Sequence, residues 1–179
     1  MVSPSTRFRT LLKEAEHRFG PRSRKIRIKV EPRSDQVPET ILNATNDGAT
    51  VYYARVAKDD PLRLRFQLAH EAIHCLSGAF RRDALVLEEG LAVYFTLNLT
   101  NKNSSYDQRA TDALPPLFNN ALALFNRLNP TDEKIKALRT HYPCLDAVQP
   151  EILQSVFGAT NGLVNELCDR VPNEMHMRL

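Results

Sequence analysis

The chain has 179 residues, of which 42% are hydrophobic and 25% are charged, so it can bury the core of one globular domain. Its formal net charge of +3 is too small to indicate a nucleic-acid-binding protein by itself. No run of about 18 apolar residues is present, which argues against a membrane-spanning helix.

The cysteines and the first residues indicate the compartment. The three cysteines, Cys75, Cys144 and Cys168, form no C-x-x-C pair, which favours free thiols over a disulfide framework. The first residues contain no apolar segment of the kind that a secretory signal requires. We therefore expect a cytoplasmic protein that does not bind membranes.

The N-terminal segment predicts an amphipathic helix followed by a half-buried strand. Apolar residues recur at helical spacing over residues 5–19, and Gly20-Pro21 then ends the helix. Residues 25–30 alternate isoleucine or valine with lysine or arginine, the period of a strand. Basic side chains cluster through this region: Arg7, Arg9, Lys13, Arg18, Arg22, Arg24, Lys25, Arg27 and Lys29. A solvated surface explains them, and a surface that contacts nucleic acid or an acidic partner is the alternative.

A β-hairpin is predicted next in the chain. Residues 31–39 contain two prolines and several polar side chains, and are expected to form a loop. Strands are expected over residues 40–44 and 50–56. Between them, Asn46-Asp47-Gly48 is a strong turn signal.

The helix that follows carries the most informative motif. Asp60 and Pro61 suit an N-cap and a first helical turn, and Gly78 suits the end, so we expect a helix over residues 61–77. Its side chains are apolar on nearly all sides, which indicates a mostly buried helix. Within it, residues 70–74 read His-Glu-Ala-Ile-His, an H-E-x-x-H motif.

The spacing of this motif suits a metal site. Positions i and i+4 share one helix face, so His70 and His74 present two imidazoles side by side, and imidazole is a good zinc ligand. Glu71 lies about 100° around the helix, beside a water that the metal would hold, where a carboxylate can act as general base. The alternative is that both histidines are buried structural residues. A metal would give both histidines the partner that burial demands.

A second helix can complete the ligand set. Residues 84–99, with Asp83 as a plausible N-cap, predict a helix with Glu88 and Glu89 inside an apolar run. Two histidines and one glutamate leave a fourth position open for water, as a catalytic zinc requires. Gly90 costs about 1 kcal/mol of helix propensity. Its presence suggests the close approach of another backbone, such as that of the H-E-x-x-H helix.

The rest of the chain predicts a helical lobe. A polar loop is expected over residues 101–107. Helices are then expected over residues 116–128, 132–141, 150–157 and 162–171. An oxyanion formed during acyl transfer needs a hydrogen-bond donor. The candidates for that role are Arg139, His141 and Tyr142 in this lobe, and Tyr94 in the preceding helix.

These residues resemble the gluzincin, thermolysin-like zinc metallopeptidases. In that group a glutamate directly before glycine on the next helix is the third ligand, which matches Glu89 in E-E-G-L-A-V-Y-F, with Glu88 as the rival. The run R-F-Q-L-A-H-E at residues 65–71 also resembles that of the small intracellular ImmA/IrrE-type endopeptidases. The resemblance covers about residues 50–96. Ala72 departs from the usual H-E-L-x-H, a change expected to affect packing rather than chemistry.

The resemblance implies a fold and a place for substrate. The expected fold is α+β and zincin-like, a single domain over residues 1–179. In it, residues 1–78 form a small sheet with the active-site helix, and residues 79–179 form a helical lobe that carries the third ligand. The resemblance also places residues 51–56 at the sheet edge, where substrate backbone can add as one more strand. An internal strand is the alternative.

The resemblance also implies an activity. One Zn²⁺ per chain would be held by His70, His74 and Glu89, and a protein or peptide substrate would be hydrolysed with Glu71 as general base. Glu88, or whichever glutamate is not a ligand, would hydrogen-bond a ligating imidazole. A function of another class is a non-catalytic zincin-like protein that contacts nucleic acid or an acidic protein through the basic N-terminal segment. The presence of every catalytic residue favours the metallopeptidase.

Overall fold

The computed structural model describes residues 2–34, 38–78, 84–99 and 116–171. These residues form an α+β fold with seven α-helices and a three-stranded mixed sheet. The helices are α1 (Pro4–Phe19), α2 (Pro61–Ser77), α3 (Val86–Asn98), α4 (Pro116–Arg127), α5 (Asp132–His141), α6 (Pro150–Phe157) and α7 (Asn161–Cys168). The strands are β1 (Arg27–Arg33), β2 (Glu39–Leu42) and β3 (Gly48–Ala54). No helix in these described ranges has the length and apolarity needed to cross a membrane.

Helix α1 forms where its apolar stripe predicts it. The Ser3 side chain accepts a hydrogen bond from the Thr6 N–H and caps the first turn, as expected of an N-cap serine. The chain leaves the helix at Gly20, whose φ of +91° favours glycine. The stripe is buried throughout: Phe8, Leu11, Leu12, Ala15 and Phe19. This face joins the main hydrophobic core.

The sheet has the order β1-β3-β2, with β1 parallel to β3 and β2 antiparallel to it. The predicted hairpin is confirmed, and Asn46 adopts a positive φ of 57° in its turn. The edge placement expected for residues 51–56 is wrong, because β3 is paired on both sides. Strand β1 also runs into the predicted loop as far as Arg33. Pro32 is tolerated there because β1 is an outer strand, which needs fewer ladder hydrogen bonds.

Helix α2 has the predicted bounds. The Asp60 side chain accepts hydrogen bonds from the N–H groups of the first turn, and Gly78 ends the helix in the left-handed conformation. The helix is buried on nearly all sides because α1, α3 and β3 surround it. On its buried face, the Gln67 side-chain oxygen accepts a hydrogen bond of 3.0 Å from the Ala54 N–H, which connects β3 to α2.

Helix α3 begins at Val86, two residues later than predicted, and Asp83 lies outside the described residues. At Gly90 an added Cβ would lie 2.6 Å from Phe125 Cβ and 2.7 Å from the Ala121 carbonyl oxygen. The predicted close approach is therefore present, but the neighbouring backbone belongs to α4 and not to α2. Gly90 lets α4 press against the helix that carries Glu88 and Glu89.

Helices α4 and α7 pack against α3, and α5 packs against α1 and α6. Helices α5 and α6 have the predicted bounds, whereas α7 ends at Cys168, short of the predicted 171. Residues 169–171 instead pair with the start of α3: the Val86 N–H donates to the Asp169 carbonyl and the Val171 N–H donates to the Ala84 carbonyl. The loop predicted over 101–107 lies outside the described residues. Buried residues of all these helices join one hydrophobic cluster.

We expect Gly90→Ala to destabilise the fold. The added methyl group must push α4 from α3, which costs about 1–3 kcal/mol and outweighs the gain in helix propensity. Urea unfolding followed by circular dichroism measures the change. The matched control is Gly162→Ala, because a Cβ there meets nothing within 4 Å; its stability should be unchanged or slightly raised. Equal stability of the Gly90→Ala protein and the wild type would contradict this packing.

Candidate metal centre

Two histidines of α2 face each other at the centre of the site. The Nε2 atoms of His70 and His74 lie 3.2 Å apart, and their ring centroids lie 4.9 Å apart. His70 is buried and His74 nearly so. The i, i+4 spacing thus places both imidazoles on one helix face, as predicted from the sequence.

Glu89 of α3 approaches the same two nitrogen atoms. Its Oε2 lies 3.2 Å from His70 Nε2, and its Oε1 lies 3.6 Å from His74 Nε2. The Glu89 side chain is only 2% exposed. Its position follows from the packing of α3 against α2, two helices that the sequence separates by a short connection.

The spacing of these atoms fits a single metal ion. Ligands at about 2.1 Å from a tetrahedral zinc lie about 3.4 Å from one another. The three observed separations are 3.2, 3.2 and 3.6 Å. Glu89 approaches His70 through Oε2 and His74 through Oε1, so the three side chains lie close enough to share one ion. The ligand atoms of His70, Glu71 and His74 also lie within 4.8 Å of one another, so Glu71 borders the same point.

Glu88 contacts the opposite side of one imidazole. Its Oε1 lies 2.8 Å from His74 Nδ1, and its side chain is fully buried. A carboxylate at that distance accepts a hydrogen bond from Nδ1–H, which makes Nε2 the ring nitrogen that would bind a metal ion. The residues alone left open which glutamate is the ligand, and the family resemblance implied Glu89, with Glu88 as the alternative. The geometry favours Glu89 as the ligand and Glu88 as the group that orients His74.

The site concentrates negative charge. Burial by itself lowers the pKa of His74, but the carboxylates of Glu89, Glu88 and Glu71 raise it to about 10. Burial raises the pKa of Glu88, and the hydrogen bond with His74 opposes that change. Three carboxylates thus surround two imidazoles in a buried space. A divalent cation can replace the proton on His74 and balance this charge.

Thr40 is a site residue that the sequence did not reveal. Its Oγ1 donates a hydrogen bond of 2.6 Å to Glu71 Oε2, and it lies 3.9 Å from Cys75 Sγ. Thr40 belongs to β2, 31 positions before Glu71, and no local spacing signals a contact of that range. The outer strand of the sheet is thereby connected to the expected general base.

Phe118 is the second residue that the sequence did not reveal. Its ring centroid lies 5.2 Å from that of His70, and the side chain is half-buried. In the sequence, Phe118 is one of several apolar residues of an amphipathic helix, and nothing distinguishes it from core residues. Its contact brings the helical lobe against the candidate metal centre.

The hydrogen bonds of Arg139 hold backbone segments together, which does not fit its predicted role as an oxyanion stabiliser. It is 4% exposed, and burial lowers its pKa to about 10, an effect that the Glu88 carboxylate opposes. Its guanidinium donates hydrogen bonds of 2.8–3.2 Å to five backbone carbonyls, those of Phe19, Gly20, Pro21, Leu76 and Pro143. It therefore joins the C-terminal ends of α1 and α2 to the segment after α5.

The other oxyanion candidates gain no support from their surroundings. The Tyr94 ring packs on Phe125 at 5.3 Å, and burial raises its pKa. His141 is exposed at the end of α5, and Tyr142 packs against the hydrophobic core. An oxyanion role for any of these three residues stays a prediction.

The basic N-terminal segment is partly engaged within the molecule. Arg18 forms two hydrogen bonds of 2.7 and 2.8 Å with Asp132, and Arg22 pairs with Glu16 at 2.8 Å. Arg7 donates to the Pro61 carbonyl. The remaining basic side chains are exposed: Arg9, Lys13, Arg24, Lys25, Arg27 and Lys29. Contact with nucleic acid or an acidic partner stays a prediction that depends on these six.

Comparisons of the chain with protein-family models, with curated proteins and with solved structures found no match. The chemistry of the site is therefore inferred from its own side chains. Two imidazole nitrogens and a carboxylate can hold a divalent cation, and a further carboxylate beside them can accept a proton.

We expect Glu88→Gln to weaken metal binding without removing it. The neutral amide holds the Nδ1 proton of His74 less strongly than the carboxylate, and loss of such an orienting partner typically costs about 10–100-fold in metal affinity. Competition with a chromophoric zinc chelator measures the dissociation constant. Glu14→Gln on the exposed face of α1 is the control. Unchanged zinc affinity in Glu88→Gln would show that Glu88 does not orient a ligand.

Proposed function

We propose that this protein is a zinc-dependent metallopeptidase of the gluzincin type. The observation that carries the proposal is the convergence of donor atoms from His70, His74 and Glu89 at 3.2–3.6 Å, beside the carboxylate of Glu71. Two nitrogens and one carboxylate are a ligand set that zinc accepts, and it leaves one position open.

The proposed reaction is hydrolysis of a peptide bond. When bound, zinc supplies a Lewis acid that polarises the substrate carbonyl and acidifies a water molecule. Glu71 accepts the proton from the attacking water and donates it to the leaving amine nitrogen as the C–N bond breaks. Thr40 donates a hydrogen bond to Glu71 Oε2 and helps to hold the carboxylate in place for this transfer. Glu88 keeps His74 in the orientation that ligation needs.

The motif order supports the gluzincin type. The H-E-x-x-H motif lies on α2, and a glutamate directly before Gly90 lies on the next helix of the chain, α3. The resemblance of residues 65–71 to the ImmA/IrrE-type endopeptidases points to the same group. A zincin-like arrangement, with a small sheet beside the active-site helix, is part of the proposal.

The sheet suggests where a polypeptide substrate would lie. Strand β2 is an outer strand among the described residues, and its Thr40 contacts Glu71. An extended peptide can pair with such an edge through main-chain hydrogen bonds. In this proposal β2 takes the position that was expected for residues 51–56. The free thiols support a reducing compartment such as the cytoplasm.

We expect Glu71→Gln to retain zinc and to lose hydrolysis. Glutamine preserves the size of the side chain but cannot accept the proton, and general-base catalysis contributes about 10²–10⁴ to the rate. Zinc-loaded protein is incubated with a mixed peptide library, and new termini are counted by mass spectrometry. Glu133→Gln, an exposed change on α5, serves as control. Turnover at the wild-type rate by metal-loaded Glu71→Gln would exclude this mechanism.

A further inference from the structure

We propose that Thr40 is a positioning residue that fixes the carboxylate of Glu71 from the outer strand β2. The inference rests on the proposed function, in which Glu71 is the general base. It adds a residue that neither the H-E-x-x-H motif nor the third ligand includes.

The direction of the hydrogen bond follows from the groups involved. An ionised carboxylate can only accept hydrogen bonds, so the Thr40 hydroxyl donates its single proton to Glu71. The distance of 2.6 Å is that of a short, well-formed O–H···O hydrogen bond. Cys75 Sγ, 3.9 Å from Thr40 Oγ1, can donate its weak S–H to that oxygen. The thiol therefore does not compete for the Thr40 proton.

The hydrogen bond from Thr40 limits the rotation of the Glu71 side chain. Glu71 stands on a rigid helix, but rotation about its side-chain bonds would let its carboxylate turn away from the reacting water. The Thr40 hydroxyl, hydrogen-bonded to Oε2, restricts the orientation of the carboxylate. Thr40 itself is restricted, because a β-branched side chain in a strand has few rotamers.

The sheet that carries Thr40 is hydrogen-bonded to α2, the helix that carries Glu71. Thr40 pairs with Val51 of the central strand β3. The end of β3 is bonded to α2 through the Ala54 N–H and the Gln67 side-chain oxygen. The strands that position the donor and the helix that carries the acceptor are thus joined at a second point.

The first test needs no substrate. Thr40→Val removes the hydroxyl and keeps the shape of the side chain, and Glu71→Ala removes the acceptor. Urea unfolding of wild type, both single variants and the double variant gives a double-mutant cycle. We expect Thr40→Val to change the unfolding equilibrium constant about tenfold more when Glu71 is present than when it is absent, or about 1.4 kcal/mol of coupling.

The matched control is Thr10→Val. The Thr10 hydroxyl donates to the Thr6 carbonyl on the exposed face of α1, so its loss should have the same effect with and without Glu71. Equal costs of Thr40→Val in the two backgrounds would overturn the proposed bond.

The second test separates positioning from metal binding. Thr40→Val should keep the zinc content of the wild type, lower kcat about tenfold and leave KM unchanged, because only the base is disturbed. Thr40→Ser retains the hydroxyl and should recover most of kcat. A Thr40→Ser protein as slow as Thr40→Val would show that the methyl group and not the hydroxyl matters, and would overturn the positioning role.

The two tests fail in different ways. If the wild type hydrolyses no peptide while the cycle shows the coupling, the proposed function is wrong, and the positioning role is overturned with it although the contact is real. If the wild type is active and Thr40→Val has the wild-type kcat, the metallopeptidase stands and Thr40 has no positioning role.

Discussion

The structure depends on the burial of charge between α2 and α3. Glu71, Glu88, Glu89 and His70 are buried and His74 is nearly so, and buried ionisable groups are costly unless they are paired. Each carboxylate is met by a specific partner: Thr40 for Glu71, a ring nitrogen of His74 for Glu88, and both Nε2 atoms for Glu89. A cation between the Glu89 carboxylate and the two Nε2 atoms would offset the negative charge of the carboxylates. This is the physical reason to propose a metal ion there.

Much of the fold serves to hold those two helices in place. Gly90 permits α4 to pack against α3, and residues 169–171 pair with the segment that begins α3. The Arg139 guanidinium donates hydrogen bonds to backbone carbonyls at the C-terminal ends of α1 and α2. These contacts come from distant parts of the chain, so the position of Glu89 relative to His70 is a property of the whole domain.

The sequence predicted what local chemistry determines. The bounds of α2 follow from a capping aspartate and a terminal glycine, and the hairpin follows from its Asn-Asp-Gly turn. The pairing of His70 with His74 follows from helical spacing. The central place of β3, the partner of Gly90 and the contacts of Thr40 and Phe118 depend on tertiary packing, which local patterns do not encode. For the same reason the spacing alone did not rank Glu88 and Glu89, about 100° apart on one helix, and only the family resemblance implied Glu89.

The most direct test of the central claim is the zinc content of purified wild type, His74→Ala and Glu89→Ala, measured by elemental analysis after reconstitution. We expect one zinc ion per chain in the wild type and its loss in both variants. Zinc retained by Glu89→Ala would contradict the ligand set. A wild type that takes up no zinc would contradict the metal centre itself and leave the two histidines as structural residues.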